Sequence, residues 1–138
     1  MNIDTKQLLN KISQTKDIQR FIEQYDEEFL HISPIEYLKE ILAQKNMTPS
    51  EVAKRSGQGE YVYKVFRGER KPSRDVLIAI GIGMQLSIEE MQKILRSARS
   101  AQLDPRDKRD SIILYSFKEK QTIEQLNDLL YELQQPTL

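Results

Sequence analysis

Residues 47–73 read MTPSEVAKRSGQGEYVYKVFRGERKPS. Thr48 to Glu51 carries the S/T-x-x-E pattern, in which the hydroxyl accepts from an orphan helix amide and the acid reaches back. Pro49 sits at the first helical position, where its missing N–H costs nothing. A short helix over 49–56 is therefore predicted, with Val52 and small Ala53 letting a neighbour pack closely. Gly57 supplies a turn. A second helix follows over about 60–67, with Val62, Val65 and Phe66 inward. Tyr61, Tyr63, Lys64 and Arg67 are left outward or at the rim, and a basic loop with Arg70 and Lys71 comes next.

Residues 47–74 hold seven basic side chains and three acidic ones. Residues 1–33 hold four basic and six acidic. The whole chain of 138 residues balances 21 Lys plus Arg against 21 Asp plus Glu. Neutrality overall thus conceals a local positive face beside a projecting helix, which is the electrostatic footprint of duplex binding.

Outward from this stretch the helix signals continue. Ser33–Glu36, Ser87–Glu90 and Thr122–Gln125 repeat the capping-box pattern of Thr48–Glu51. The five prolines fall between periodic segments. Apolar stripes at helical spacing run through Ile18, Phe21, Ile22, Tyr25 and Phe29; Ile35, Leu38, Ile41 and Leu42; Ile88, Met91, Ile94 and Leu95; and Ile123, Leu126, Leu129, Leu130 and Leu133. Nine helices are predicted, at about 5–12, 15–29, 34–45, 49–56, 60–67, 74–84, 88–98, 109–119 and 123–134.

Sliding the chain by 35 residues lays 74–95 on 109–130 with six identities: Arg74, Asp75, Ile78, Ile88, Glu89 and Leu95. The first helix of each copy is apolar nearly all round and so buried on several sides. Two stacked hairpins with a shared core are expected, the second packed on the first. Recurrence as Arg109-Asp110 argues for a structural role of Arg74-Asp75 at a helix start.

Composition removes several classes of function. Without Cys there are no disulfides, zinc-thiolate sites or thiol catalysis. His31 is the one histidine and reads as a surface or loop residue. Asp104, Asp107 and Asp110 alternate with Arg106, Lys108 and Arg109 as a charge-mixed linker, with no metal site. No Gly-rich phosphate cradle or nucleophile–base pair is present. No catalytic residue, cofactor or metal is therefore expected, and the protein is not read as an enzyme. The longest apolar run, Val76–Met84, has nine residues, well short of the roughly 20 that span a bilayer. The start MNIDTKQLLNK lacks an apolar signal-peptide centre, so a cytoplasmic location without membrane attachment is expected.

The sequence resembles the lambda-repressor-like, or Xre/Cro-type, helix-turn-helix family over about residues 34–97. The resemblance rests on MTPSEVAKRSG, on Val62 and Val65, on Arg67-Gly68-Glu69-Arg70-Lys71-Pro72-Ser73, and on Ile88-Glu89-Glu90-Met91. It implies an all-α bundle, here with N-terminal helices (1–33), a helix-turn-helix domain (34–98) and an additional C-terminal hairpin (99–138). It also implies sequence-specific binding of double-stranded DNA by a bacterial transcriptional regulator, usually a dimer, with the helix at about 60–67 in the major groove. The DNA-facing set so implied is Gln58, Glu60, Tyr61, Tyr63, Lys64, Arg67, Arg70 and Lys71. Lys64 suits a guanine edge or phosphate, Tyr63 a phosphate or thymine methyl, and Arg70 and Lys71 phosphates. An ordinary solvated helix face would look the same, and Tyr61 suits packing as well as contact.

Three departures stand out. Pro49 replaces the family's frequent Gln, the turn from Gly57 to Val62 is one residue short, and Gln58 takes a usually apolar place while Glu60 brings a carboxylate near the phosphates. Neutral overall charge, Glu60, the shortened turn and two extra apolar hairpins favour an alternative, a helical adaptor that kept the scaffold and binds a protein partner. Both the N-terminal helices and the C-terminal hairpin are candidate interfaces for that partner or for a homodimer.

Overall fold

A computed structural model describes residues 4–25 and 33–138. Within them lie nine α-helices and no strand. The chain divides into two compact units, residues 1–31 and 32–138.

In the first unit, α1 (Thr5–Gln14) opens with Asp4, whose carboxylate accepts from the Gln7 amide while Gln7 returns the bond. The second helix, α2 (Ile18–Gln24), begins three residues later than the expected start at 15. Thr15 is extended and caps α1, and Asp17 caps α2 by accepting from the Arg20 amide. Phe21 is buried and its ring lies 4.9 Å from that of Tyr25. Leu9, Ile12, Ile18 and Ile22 stay exposed. Phe29 and His31, and the expected end of this helix at 29, lie outside the described residues.

The second unit contains α3 (Pro34–Gln44), α4 (Pro49–Ser56), α5 (Tyr61–Phe66), α6 (Arg74–Gly83), α7 (Ile88–Ser97), α8 (Lys108–Lys118) and α9 (Ile123–Glu132). Reciprocal capping boxes close at Thr48, Ser87 and Thr122. At Ser33 the hydroxyl accepts from the Glu36 amide, but the return bond is not made. Ser73 and Asp107 cap α6 and α8. The helices of three hairpins, α3–α4, α6–α7 and α8–α9, join through one left-handed residue: Asn46, Gln85 or Lys120. In each, the following amide reaches back six-to-one, Met47 to Leu42, Leu86 to Gly81 and Gln121 to Ser116, at 3.0 Å. These bonds satisfy carbonyls that a helix end would otherwise orphan.

One apolar core runs from Leu38 to Leu130, with α6 at its centre. Every residue of α6 from Leu77 to Gly83 is buried. Gly83 is required there: a Cβ would stand 2.8 Å from the Ser56 backbone nitrogen, so α4 could not approach as it does. The equivalent helix α8 is buried on several sides as expected, through Ile112, Ile113, Ser116 and Phe117, but leaves Tyr115 49% exposed. Ile80, its counterpart, faces the core instead.

The internal repeat is real in three dimensions and extends past the helices. Arg74 bonds both oxygens of Asp110 and donates to the Ala101 and Gln102 carbonyls. Arg109 bonds both oxygens of Asp75 and donates to the Pro136 and Thr137 carbonyls, the same positions 35 residues on. Gln92 grips the Leu103 backbone through both its amide atoms, as Asn127 grips Leu138. Asp110, buried in the first turn of α8, thus belongs to a partly buried ion pair with Arg74 of α6, not to an open linker. Among the described residues no helix is long and apolar enough to cross a membrane.

Candidate nucleic-acid interface

The corner between α4 and α5 is built on two glycines with positive φ, Gly57 at 72° and Gly59 at 58°. Gly57 ends α4 in the left-handed region, which a Cβ would make costly. The buried Ser56 hydroxyl accepts from the Gln58 amide at 3.3 Å, and the Gly59 amide reaches Ala53 at 3.1 Å. Ile123, the first residue of α9, lies against this corner: its Cγ2 would be 3.6 Å from a Cβ placed on Gly57. The C-terminal hairpin therefore braces the turn.

From that corner α5 directs Val62, Val65 and Phe66 into the core. The opposite face carries Tyr63 and Arg67, both exposed, with Lys64 half-buried between them. Tyr61 is half-buried and packs against the core, so packing is its principal environment. Glu60 is exposed at the N-cap position and makes no side-chain cap. Gln58 is half-buried in the turn.

Gly68, at φ 75°, then reverses the chain. The Glu69 amide bonds the Lys64 carbonyl at 2.9 Å and the Gly68 amide bonds that of Val65 at 3.0 Å. This closure brings Glu69 back beside Arg67 and leads into exposed Arg70 and Lys71. Tyr63, Lys64, Arg67, Arg70 and Lys71 thus share one end of the bundle, next to the glycine corner.

The cations of this region are not equally free. The Arg67 guanidinium donates through Nε and Nη2 to the two oxygens of Glu69, at 3.0 and 3.1 Å. That hydrogen bond, with the charges of Arg67, Lys64 and Arg70, holds the Glu69 carboxyl below its usual range. Arg55 stands 3.9 Å from Glu51. Arg74 is committed to Asp110 and two carbonyls and is withdrawn from the face. Lys54, Lys64, Arg70 and Lys71 have no ion-pair partner among the described residues. Sequence reading did not find the Arg67–Glu69 fork. Its one local signal is the glycine between the two charges, which permits the reversal.

The geometry therefore holds a short capped helix, a glycine corner, and a second helix with one face in the core and the other outward. The family model of helix-turn-helix proteins matches residues 38–91. This segment belongs to the lambda-repressor-like helix-turn-helix family. The match runs from within α3 into α7 and leaves the α8–α9 hairpin outside it. No curated protein and no solved structure matches the chain. In helix-turn-helix domains generally, the second helix of the motif is the one that approaches the DNA.

Proposed function

We propose that the protein is a transcriptional regulator that binds double-stranded DNA sequence-specifically, with α5 in the major groove. The observation that carries this reading is the outward face of α5: Tyr63 and Arg67 exposed and Lys64 at the rim, beside exposed Arg70 and Lys71, on a helix-turn-helix scaffold. Tyr63 and Lys64 are the residues placed to reach base edges or the nearest phosphates. Arg67, at the C-terminal end of α5, and Arg70 and Lys71 in the loop serve the phosphate backbone, which fixes register. Gln58 and Glu60 stand at the N-terminal approach to α5, where Glu60 accepts from a cytosine amine or else repels phosphate. Tyr61 contributes by holding the helix in place. One α5 covers a short half-site, so two copies acting on a pseudo-palindrome in the cytoplasm complete the proposal.

The test is a titration of random and genomic duplex at several salt concentrations, comparing the wild type with a Lys64→Ala, Arg67→Ala double variant. The reading expects selective binding by the wild type, a steep fall with salt, and a clear loss in the variant. Equal weak binding by both proteins overturns it. The alternative, a helical adaptor for a protein partner, is favoured by the exposed carboxylate of Glu60 and the partial neutralisation of Arg67. It expects no duplex selectivity at any salt concentration.

A further inference from the structure

We infer that Glu69 is an electrostatic brake on the DNA face: its carboxylate competes with DNA phosphate for Arg67 and thereby holds down binding to duplex of arbitrary sequence. This inference rests on the DNA-binding reading above. It starts from the backbone. The left-handed Gly68 and the Glu69-to-Lys64 closure fix residue 69 beside residue 67, so the carboxylate is delivered there by the turn itself. Its two oxygens then occupy Nε and Nη2 of Arg67 together. That edge of the guanidinium is one of the two that a phosphate takes in a bidentate contact.

Lys64 and Arg70 also act on Glu69, so the same anion sits in the field of three cations of the face. Both partners of the pair are more than half exposed. Exposed pairs of this kind are weakly held, so a phosphate can displace the carboxylate. The arrangement weakens binding without forbidding it. Arg74 is withdrawn by Asp110, and Arg55 lies near Glu51. The sequence-independent attraction therefore falls mainly on Lys54, Lys64, Arg70 and Lys71. Contacts to base edges then carry a larger share of the discrimination between sites.

The experiment measures the affinity of the full chain for a labelled random-sequence duplex over a salt series, for wild type, Glu69→Gln, Glu69→Asp and Glu69→Gln in an Arg67→Ala background. Circular dichroism and the thermal midpoint establish that each variant is folded. At roughly 0.1 M salt, Glu69→Gln is expected to bind about three- to tenfold tighter. Its plot of log affinity against log salt is expected to steepen by about one unit, the mark of one further phosphate neutralised. Glu69→Asp, which keeps the charge, gains less than Glu69→Gln, and the gain shrinks when Arg67 is absent. Unchanged or weaker binding by Glu69→Gln, while the wild type binds duplex, overturns the brake and leaves the DNA reading intact. Failure of every protein to bind duplex removes the DNA reading and the brake together.

Discussion

Replacing Arg74 or Arg109 by alanine removes the same chemistry from two equivalent places, yet the two changes should not cost the same. Each arginine donates to two backbone carbonyls and forks onto one carboxylate. The carbonyl losses therefore match and cancel in the comparison. What differs is the carboxylate left behind. The Asp110 side chain is 8% exposed, whereas that of Asp75 is 47% exposed. Stranding a charge in the interior costs about 3–5 kcal/mol, while losing a partner in water costs about 0–1 kcal/mol. Asp110 keeps one backbone donor, the Asp104 amide at 3.0 Å, which moderates its loss. Arg74→Ala should therefore be less stable than Arg109→Ala by about 2 kcal/mol. Urea unfolding reads this directly, since a slope of about 1–3 kcal/mol/M turns that difference into a separation of roughly 1 M between midpoints. Equal midpoints, or a larger loss at Arg109, would refute the argument that burial of the acid sets the cost of each pair.

Two further outcomes follow from packing and ionisation. Gly83→Ala gains about 1 kcal/mol of helix propensity but forces a Cβ against the α4 backbone, which costs about 1–3 kcal/mol. A net loss is expected in chemical unfolding, larger than for Gly81→Ala, whose nearest obstacle is the adaptable Met91 side chain. Tyr37 is held above its ordinary value of 10.0 by burial, and further by the charges of Glu90 and Glu40. The folded state thus keeps the phenol protonated where the unfolded chain ionises it. Its contribution is intact below about pH 10 and is lost as pH rises from there through the folded value. The midpoint of unfolding should fall less steeply above about pH 10 in Tyr37→Phe than in the wild type.

Much of this architecture was legible because its signals are local. A hydroxyl three residues before an acid or amide marks a helix start whatever surrounds it, and Thr48, Ser87 and Thr122 all cap as expected. The start of α2 was misplaced because Asp17 caps it alone, outside that pattern. Inward Val62, Val65 and Phe66 followed from helical spacing. Tyr115 did not follow, because an apolar-looking helix does not reveal which neighbour is missing from one side. The fork between Arg67 and Glu69 depends on a left-handed residue between them, and the glycine allows that conformation without demanding it. The Arg74 and Arg109 pairs join residues 36 and 34 positions apart, a separation no local rule constrains. The duplication pointed to those residues; only the folded arrangement shows that each arginine serves the other copy's acid.

That crosswise exchange makes each copy complete the other. Were the copies stacked like coins, one arginine would be spent inward and the acid at the far end would await another unit. Here both arginines and both acids are spent on each other, the logic of a self-complementary pair that closes on itself. Neither copy is left with an unmatched arginine or acid of this kind to offer a further neighbour.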